Sequence, residues 1–439
     1  MTGRQDWIAG PGRALQGRVP VPGDKSVSHR ALMLGALAGG ETRVSGFLEG
    51  EDTVATGRIL GRMGVRIEAP APGERRVRGV GLHGLQPPAE ALDCGNSGTG
   101  MRLLAGLLAG QRFDSVLVGD ASLSTRPMRR VVDPLARMGA RIDTAADGTP
   151  PLRVRGGHPL LGATHVLPVA SAQVKSALLL AGLYADGRTR VQEPRPTRDY
   201  TERMLAAFGW PVEFAPGVAS LAGGHRLHAT EVLVPADFSS AAFFLVAASI
   251  VPGSELWLPG VGLNPRRTGL LQVLQLMGAD IEVHEPREQG GEPVADLRVR
   301  HAPLSGIEVP EALVPDMIDE FPALFVAAAC ASGETLVRGA GELRVKESDR
   351  IAAMARGLRV LGATVHERPD GAVVSGPLSR GGGVDALGDH RIAMAFAVAA
   401  QCTPGPVRIR DVANVATSFP GFAGLATACG MGLEPGPAG

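Results

Sequence analysis

The chain alternates short polar segments with apolar runs of helical length. The stretch Pro22–Leu37 begins with a Pro-Gly turn, continues with a polar and cationic cluster, and ends in an apolar run. This order predicts a loop that leads into a helix, with Asp24 or Ser26 as the capping residue. A helix N-terminus offers unpaired N–H groups and the positive end of the helix dipole. Lys25 and Arg30 beside it therefore indicate an anion site, although a capped surface helix is the plainer alternative for one such motif.

The same order of segments recurs along the chain. Polar openings followed by apolar runs begin near positions 24, 95, 171, 237, 319 and 389. In phase with them, a leucine-x-x-x-glycine pattern, degraded in its last copy, places glycines at 64, 139, 209, 278, 362 and 430. Such glycines are typical of helix C-caps that precede a strand. Two patterns in phase predict six α/β units of roughly 70 residues, each with two helices and several short strands.

Six units are too many for one core, so we predict two domains of three units each. Crossing points are expected near Val19–Pro22 and Val232–Asp237. The first domain then covers residues 23–237, and the second covers residues 1–22 and 238–439. If two such domains face each other, their helix N-termini line a cleft that suits a strongly anionic ligand.

Composition narrows the class of protein. The 44 basic and 44 acidic residues cancel, so no net charge attracts nucleic acid or an anionic membrane. The four cysteines are widely spaced and show no CxxC, which predicts a reducing compartment and no zinc site. Because the sequence shows neither a signal peptide nor an apolar run of membrane-spanning length, we expect a cytoplasmic protein.

Lysine is rare in this chain. Only Lys25, Lys175 and Lys346 occur among the 44 basic residues. Lysine is a compact, titratable charge, whereas arginine is planar and always charged. A retained lysine can therefore indicate a position where a guanidinium does not substitute, and we interpret at least two of the three as functional; chance is the alternative.

The other openings add candidate chemistry. The segment GNSGTGMR at 95–102 is rich in glycine but matches neither the P-loop nor the dinucleotide fingerprint. The segment ELRVKESDR places Lys346 and Arg350 four residues apart, hence on one face if it is helical. A solvated helix with internal ion pairs is the alternative there. No HExxH motif or carboxylate cage suggests a metal.

With these motifs in hand, the chain closely resembles the 5-enolpyruvylshikimate-3-phosphate (EPSP) synthase family. The resemblance covers nearly the whole chain and is carried by PGDKSVSHRA, GNSGTGMR, STRPM, SAQVKSALLLAG, MIDEFP, ELRVKESDR and DHRIAM. It implies two inside-out α/β domains, each of three βαβαββ units, with the active site in the cleft between the domains. The implied reaction transfers the enolpyruvyl group of phosphoenolpyruvate to the 5-hydroxyl of shikimate 3-phosphate, with release of phosphate, on the pathway to aromatic amino acids. The resemblance further implies a monomer without cofactor or metal, and glyphosate as an inhibitor at the phosphoenolpyruvate site.

Site residues follow from the resemblance position by position. Asp319 matches the acceptor of the 5-hydroxyl proton, Glu347 matches the acid that protonates the methylene carbon, and Lys25 matches a third catalytic residue. The residues expected to bind shikimate 3-phosphate are Lys25, Ser26, Arg30, Ser171, Ala172, Gln173, Arg198, Asp319 and Lys346. Those expected to bind phosphoenolpyruvate are Lys25, Asn96, Gly98, Arg126, Gln173, Arg350, His390 and Arg391.

The chain departs from the common family pattern at three positions. Ala172 stands where many members have serine, Glu342 where others have asparagine, and Thr417 where many have lysine. These departures resemble a divergent bacterial branch, often called class II, and leave open how many cations surround phosphoenolpyruvate.

Two alternative functions share features with this sequence. The sister family, UDP-N-acetylglucosamine enolpyruvyl transferase, typically carries a reactive cysteine in the loop that corresponds to Asp120–Arg126, where this chain has none. Its first motif also normally has Lys-Asn, where this chain has Lys25 and Ser26. A non-enzymatic repeat scaffold that binds anionic partners would predict charges spread over the surface instead of gathered at the openings.

Overall fold

The computed structural model describes residues 5–436. The second predicted domain also includes residues 1–4 and 437–439, which lie outside the described residues. Residues 5–436 form twelve α-helices, which are α1 (Lys25–Leu37), α2 (Glu51–Arg62), α3 (Gly98–Ala109), α4 (Arg129–Arg137), α5 (Ala172–Gly182), α6 (Tyr200–Ala207), α7 (Phe238–Ile250), α8 (Gly269–Leu276), α9 (Phe321–Cys330), α10 (Arg350–Val360), α11 (His390–Ala399) and α12 (Phe422–Cys429). Short 3₁₀ helices lie at Leu123–Thr125, Glu311–Leu313, Pro315–Met317, Gly341–Val345, Ala400–Cys402 and Ala413–Thr417.

The same part of the chain contains 23 short strands. They are β1 (Trp7–Gly10), β2 (Gln16–Arg18), β3 (Gly39–Ser45), β4 (Arg66–Glu68), β5 (Glu74–Val80), β6 (Leu92–Asp93), β7 (Ser115–Val118), β8 (Arg141–Asp143), β9 (Leu152–Arg155), β10 (Thr164–Val166), β11 (Arg188–Gln192), β12 (Val212–Ala215), β13 (Val218–Ala222), β14 (Glu231–Leu233), β15 (Glu255–Gly262), β16 (Asp280–Gln289), β17 (Glu292–Arg300), β18 (Glu334–Val337), β19 (Thr364–Arg368), β20 (Gly371–Ser375), β21 (Gly382–Asp385), β22 (Val407–Arg410) and β23 (Gly432–Pro435).

These strands form six small sheets with a common plan. In the sheet of order β6-β7-β9-β8, β6 and β7 are parallel and the other pairs are antiparallel, with α3 after β6 and α4 after β7. The sheet β10-β11-β13-β12 repeats this plan with α5 and α6. The remaining sheets are β14-β3-β5-β4, β2-β15-β17-β16, β18-β20-β19 and β21-β22-β1-β23. The predicted α/β class and the βαβαββ unit are thus present in the fold.

The chain divides into two compact units. Within the described residues, unit 1 comprises 5–22, 236–287 and 293–436, and unit 2 comprises 23–235 and 288–292. Unit 2 holds α1–α6, and unit 1 holds α7–α12. The first two strands belong to unit 1, because β2 pairs with β15 and β1 pairs with β22 and β23. The substrate contacts predicted for each domain stay a prediction.

Each unit encloses its own hydrophobic core, and the first helix of every repeat lies inside it. All residues of α7 are buried, as are all but one of α3. Helices that are apolar on every side are stable only when surrounded by other parts of the protein. The second helices, such as α2, bury one face and expose the other. Every repeat therefore brings the polar start of its first helix out of a rigid core.

Both sequence patterns mark helix ends in the structure. The six predicted C-cap glycines have φ between +79° and +120°, a region that disfavours other residues. The predicted openings lie at the starts of α1, α3, α5, α7, α9 and α11. At α1 the capping residue is Asp24, whose carboxylate accepts from the Val27 N–H at 2.9 Å. Among the helices of residues 5–436, none combines the length and apolar character needed to cross a membrane.

Candidate active site

In unit 2, the starts of α1, α3 and α5 are bonded to one another, and we call the polar residues at these starts the unit 2 cluster. His29 on α1 lies 3.4 Å from the Ser97 hydroxyl that caps α3. The Gln173 amide on α5 donates to the Thr99 hydroxyl on α3 at 2.9 Å. Arg30 on α1 donates to the Ser176 hydroxyl on α5 at 2.8 Å. The three links close a ring of helix N-termini.

Arg30 is buried in this ring and is held by neutral groups. Its guanidinium donates to the Thr201 hydroxyl at 2.7 Å, the Ser26 carbonyl at 2.9 Å and the Ser176 hydroxyl at 2.8 Å. The side chain is therefore fixed in direction by two hydroxyls and one carbonyl. Ser26, Arg30 and Ser176 come together here from two repeats.

The electrostatics of Arg30 follow from burial and from its neighbours. Burial lowers the pKa of Arg30 to about 10, and the Glu202 and Asp24 carboxylates offset part of this effect. Arg198 contributes in the same direction as burial, so these two predicted ligands of shikimate 3-phosphate are close enough to repel each other. A cation pair of this kind is stabilised by an anion placed between or beside its members.

A second cationic group gathers at the start of α3. Arg126 donates to the Asn96 side-chain oxygen at 2.6 Å and to the Ser122 hydroxyl at 3.2 Å. The Asn96 amide donates in turn to Asp120 at 2.7 Å. Asn96 and Arg126, which the sequence assigned to one substrate, are thus in direct contact.

Gly98 leaves room for guanidinium groups. An added Cβ at Gly98 would lie 2.8 Å from a terminal nitrogen of Arg102 and 3.1 Å from one of Arg126. Arg102 also donates to the Gln173 side-chain oxygen at 2.8 Å. Since Gln173 is itself a predicted ligand, the glycine, the two arginines and the glutamine form one connected group.

The remaining predicted ligands of unit 2 lie at helix starts and in one loop. Lys25 is the first residue of α1 and pairs with Asp52 on α2. Ser171 caps α5 through the Val174 N–H, and Ala172 is the first residue of that helix. Arg198 lies in the loop before α6.

In unit 1, the unit 1 cluster is formed by charged residues at the starts of α9, α10 and α11. Arg350 is buried and lies 2.9 Å from Asp389, 2.6 Å from Glu347 and 3.5 Å from Asp319. Burial alone would lower the pKa of Arg350, but the carboxylates, Asp389 first, outweigh it and raise that pKa. Arg350 thus joins the predicted acceptor Asp319 to the predicted acid Glu347.

Lys346 approaches the same aspartate from another element. Its Nζ lies 3.6 Å from Asp319 Oδ1 and 3.5 Å from Glu342 Oε1. The expectation that Lys346 and Arg350 share one helix face is wrong, because Asp349 caps α10 and the helix begins at Arg350. Lys346 has an extended backbone after the 3₁₀ helix. Both cations nevertheless reach Asp319.

A chain of polar contacts links the helix starts of this unit. Ser239 on α7 contacts Glu320, which precedes α9. Arg391 on α11 lies 3.6 Å from Glu320 and donates to the Asp319 carbonyl at 2.8 Å. His390, the first residue of α11, is buried and directly precedes Arg391.

Several partners of the predicted residues were not found from the sequence. Asp389 caps α11 and holds Arg350, and its position directly before the predicted His390 is a capping signal that could have revealed it. Arg102 lies four residues after Gly98, one helical turn away, which is also a usable signal. Asp52 and Thr201 carry no such signal.

Two of the positions that depart from the family pattern contact nearby residues of their own unit. Thr417 is buried, and its hydroxyl donates to the Asn414 carbonyl at 2.7 Å. Glu342 gives Lys346 a second carboxylate. Across residues 5–436, no three His, Cys, Asp or Glu side chains gather as a metal site requires. The expectation of a reaction without metal stays a prediction.

The family profile described as EPSP synthase (3-phosphoshikimate 1-carboxyvinyltransferase) matches residues 10–425. The chain belongs to the EPSP synthase family. The 3-phosphoshikimate 1-carboxyvinyltransferase of Xanthomonas campestris pv. campestris (strain B100) is 68% identical over 433 residues, which cover 99% of each chain. That of Xanthomonas euvesicatoria pv. vesicatoria (strain 85-10) is 69% identical over 428 residues, or 98% of this chain and 97% of the relative.

Solved structures agree with this assignment. The EPSP synthase structure from Acinetobacter baumannii superposes with a TM-score of 0.89 at 52% identity and covers 98% of this chain and 100% of its own. The enolpyruvyl transferase NikO from Streptomyces tendae has a TM-score of 0.80 at 20% identity, over 99% of each chain, and shows a shared fold alone. The family and the enolpyruvyl-transfer reaction predicted from the motifs are confirmed for this chain, whereas the roles of individual residues stay predictions.

Proposed function

We propose that the chain transfers the enolpyruvyl group of phosphoenolpyruvate to the 5-hydroxyl of shikimate 3-phosphate, and that residues of each cluster take part. The observation that carries this proposal is the match to relatives named 3-phosphoshikimate 1-carboxyvinyltransferase at 68% identity over 99% of the chain. It is supported by the contacts among the motif residues, since Asn96 bonds to Arg126 and Asp319 lies beside Lys346 and Arg350.

The unit 2 cluster is proposed to bind the anionic groups of both substrates. Helix N-termini and cations held by neutral acceptors attract phosphate and carboxylate groups. Ser26, Arg30, Ser171, Ala172 and Arg198 are assigned to shikimate 3-phosphate. Asn96, Gly98 and Arg126 are assigned to phosphoenolpyruvate, and Lys25 and Gln173 to both.

The unit 1 cluster is proposed to carry the proton transfers. In the addition step, Asp319 accepts the proton of the 5-hydroxyl, and the hydroxyl oxygen bonds to carbon 2 of phosphoenolpyruvate. At the same time Glu347 delivers a proton to carbon 3. In the elimination step, the Glu347 carboxylate takes a proton from carbon 3, the bond between carbon 2 and the phosphate oxygen breaks, and phosphate leaves with the electron pair and the proton that Asp319 returns. General acid–base groups at fixed positions are required, and Arg350 contacts both carboxylates.

Cations of the unit 1 cluster are proposed to offset charge during the reaction. Arg350, His390 and Arg391 are assigned to phosphoenolpyruvate, and Lys346 to shikimate 3-phosphate and Asp319. Lys25 is proposed to act with them on the charge of the reacting groups. Fixed cations stabilise developing negative charge most strongly where water is excluded.

The test is release of inorganic phosphate from phosphoenolpyruvate with each of two acceptors. Shikimate 3-phosphate should support turnover, and UDP-N-acetylglucosamine should not. Release only with the second acceptor, or with neither, would contradict the proposal. Turnover that persists after dialysis against a chelator would support the expectation that no metal is needed.

The same proposal includes a cytoplasmic monomer that glyphosate inhibits at the phosphoenolpyruvate site and that needs no nucleic acid or membrane partner. The cysteines of the described residues, Cys94, Cys330, Cys402 and Cys429, are free thiols, which supports a reducing compartment. Light scattering during gel filtration tests the monomer. Inhibition by glyphosate that is competitive with phosphoenolpyruvate tests the inhibitor site.

A further inference from the structure

Lys175, one of the three lysines of the chain, is buried on α5 one turn after the capping residue Ser171. Its Nζ lies 2.8 Å from Glu193, 2.9 Å from Glu202 and 3.4 Å from the Thr197 carbonyl. An ammonium group has three N–H donors, and here it has three acceptors. The five donors of a planar guanidinium would not match this arrangement.

The charge of Lys175 is stabilised by these neighbours. Burial alone would lower the pKa of Lys175, but the carboxylates of Glu202 and Glu193 outweigh it and raise that pKa. The side chains of both glutamates are almost fully buried, at 2% and 0% exposure. A buried ion group of this kind is costly to break, because removal of the cation leaves buried carboxylates behind.

One of the two glutamates joins both segments that carry proposed phosphate ligands. Glu193 Oε1 accepts from the Ser171 N–H at 3.2 Å and from the Thr197 hydroxyl at 2.6 Å. Thr197 directly precedes Arg198. Lys175 thus fixes a carboxylate that holds Ser171 and the loop of Arg198 together.

The other glutamate, Glu202, places Lys175 beside the hydroxyls that hold Arg30, another proposed ligand of shikimate 3-phosphate. Glu202 follows Thr201, and Lys175 precedes Ser176, so the Lys175–Glu202 pair lies beside the Ser176–Thr201 hydrogen bond of 2.8 Å. Both hydroxyls of that bond accept from Arg30. Lys175 therefore joins α5 to α6 next to the two hydroxyls that hold Arg30.

We propose that Lys175 is a positioning residue for phosphate recognition, which sets Ser171 and Arg198 around the phosphate of shikimate 3-phosphate. This inference rests on the proposed function. It implies that loss of Lys175 weakens binding of the phosphate and leaves binding of the ring nearly unchanged.

Isothermal titration of shikimate 3-phosphate and of shikimate into each protein tests this. In Lys175→Met and Lys175→Arg, the Kd of shikimate 3-phosphate should rise by about tenfold or more, while the Kd of shikimate stays within about threefold. The KM of shikimate 3-phosphate should rise, and the KM of phosphoenolpyruvate should stay within about threefold. Arg188→Met, which removes the exposed Arg188–Glu213 pair of the same unit, is the matched control and should change neither Kd.

Glu193→Gln is the second variant, because it retains an oxygen that can accept from Ser171 and Thr197 but removes the charge that pairs with Lys175. If Lys175→Met does not fold, Glu193→Gln decides the question. The Kd of shikimate divided by the Kd of shikimate 3-phosphate should then fall by about threefold or more relative to wild type. An unchanged ratio with intact wild-type binding would overturn this inference alone. Wild-type protein that does not bind shikimate 3-phosphate would overturn the proposed function and this inference with it.

Discussion

Arg30 in unit 2 and Arg350 in unit 1 are both buried, yet their surroundings differ in kind. Arg30 donates to two hydroxyls and a carbonyl, and burial lowers its pKa to about 10. Arg350 lies among Asp389, Glu347 and Asp319, and these carboxylates raise its pKa. Neutral acceptors fix a guanidinium without cancelling its charge, whereas carboxylates do both. Burial of an arginine therefore does not reveal its role, which depends on its acceptors.

The same difference extends to the two clusters. The hydrogen-bond acceptors that link the helix starts of unit 2 are neutral, as in the Gln173–Thr99 hydrogen bond. Charged groups link those of unit 1, as in the Arg391–Glu320 pair. This contrast agrees with a division in which unit 2 binds the anionic groups of shikimate 3-phosphate and unit 1 carries the carboxylates for proton transfer.

The largest effect that we expect is a loss of stability when Arg350 is removed. Arg350→Met leaves the buried Asp389 and its neighbours without this cation and should cost about 3–5 kcal/mol. Arg30→Met leaves hydroxyls and a carbonyl without a donor and should cost about 1–3 kcal/mol. Urea denaturation of both variants measures the two losses. A larger loss for Arg30→Met would break the comparison.

A smaller effect is expected at Lys346, where the shape of the cation matters. Its Nζ lies between Asp319 and Glu342, and a longer planar guanidinium cannot keep both contacts. Lys346→Arg should lower kcat/KM by about thirtyfold, or about 2 kcal/mol. The control is Arg338→Lys, at the exposed Arg338–Glu308 pair of the same unit. Activity of Lys346→Arg within about threefold of wild type would contradict this prediction.

The next effect concerns the space around Gly98. A methyl group there would displace Arg102 and Arg126, and through Arg102 it would disturb Gln173. Glyphosate is longer than phosphoenolpyruvate and should tolerate this displacement less well. In Gly98→Ala, the inhibition constant of glyphosate should rise by about tenfold, and the KM of phosphoenolpyruvate should rise less. Equal increases would mean that the methyl damages a shared site without selectivity.

The smallest expected effect concerns the charge of His29, which links α1 to α3 in unit 2. We expect its imidazole to be neutral. Burial, with the charges of Lys25 and Arg30, holds the pKa of His29 well below its usual value. The unfolded chain gains a proton near pH 6.5 that the folded chain does not, so stability present above this pH is lost as pH falls.

Between pH 7 and pH 6 this histidine should reduce the stability advantage of wild type over His29→Gln by about 0.7 kcal/mol. The measurement is urea denaturation at both pH values. His366→Gln, at an exposed histidine, is measured beside it as the control variant. An advantage that stays constant or grows on acidification would show that His29 is not held neutral.

Features encoded within one repeat could be predicted from the sequence. The six C-cap glycines and the openings near 24, 95, 171, 237, 319 and 389 depend on local backbone conformation, and they mark helix ends in the structure. The pairing of β2 with β15, which joins Gln16 to Glu255, depends on distant segments and left no local pattern.

The candidate active site, like the fold, could be predicted from the sequence only where the signal is local. Motifs identified the residues at the helix starts, but tertiary packing supplies their partners. Thr201 lies 171 residues from Arg30, and Asp389 lies 39 residues from Arg350. The interpretation of Lys346 and Arg350 as one helix face was wrong because spacing alone did not account for the Asp349 cap. The positions of the helix starts were predictable, and the contacts of the residues there were not.

The central claim is that the unit 2 cluster binds the anionic groups of shikimate 3-phosphate and the unit 1 cluster performs the proton transfers. Titration of shikimate 3-phosphate into Arg30→Gln and Asp319→Asn, with phosphate release measured on the same samples, tests it most directly. Arg30→Gln should weaken binding by about thirtyfold or more. Asp319→Asn should bind within about threefold of wild type and lose turnover by about 10²–10⁴-fold. Asp319→Asn that loses binding as strongly as Arg30→Gln, or that retains turnover, would contradict the claim.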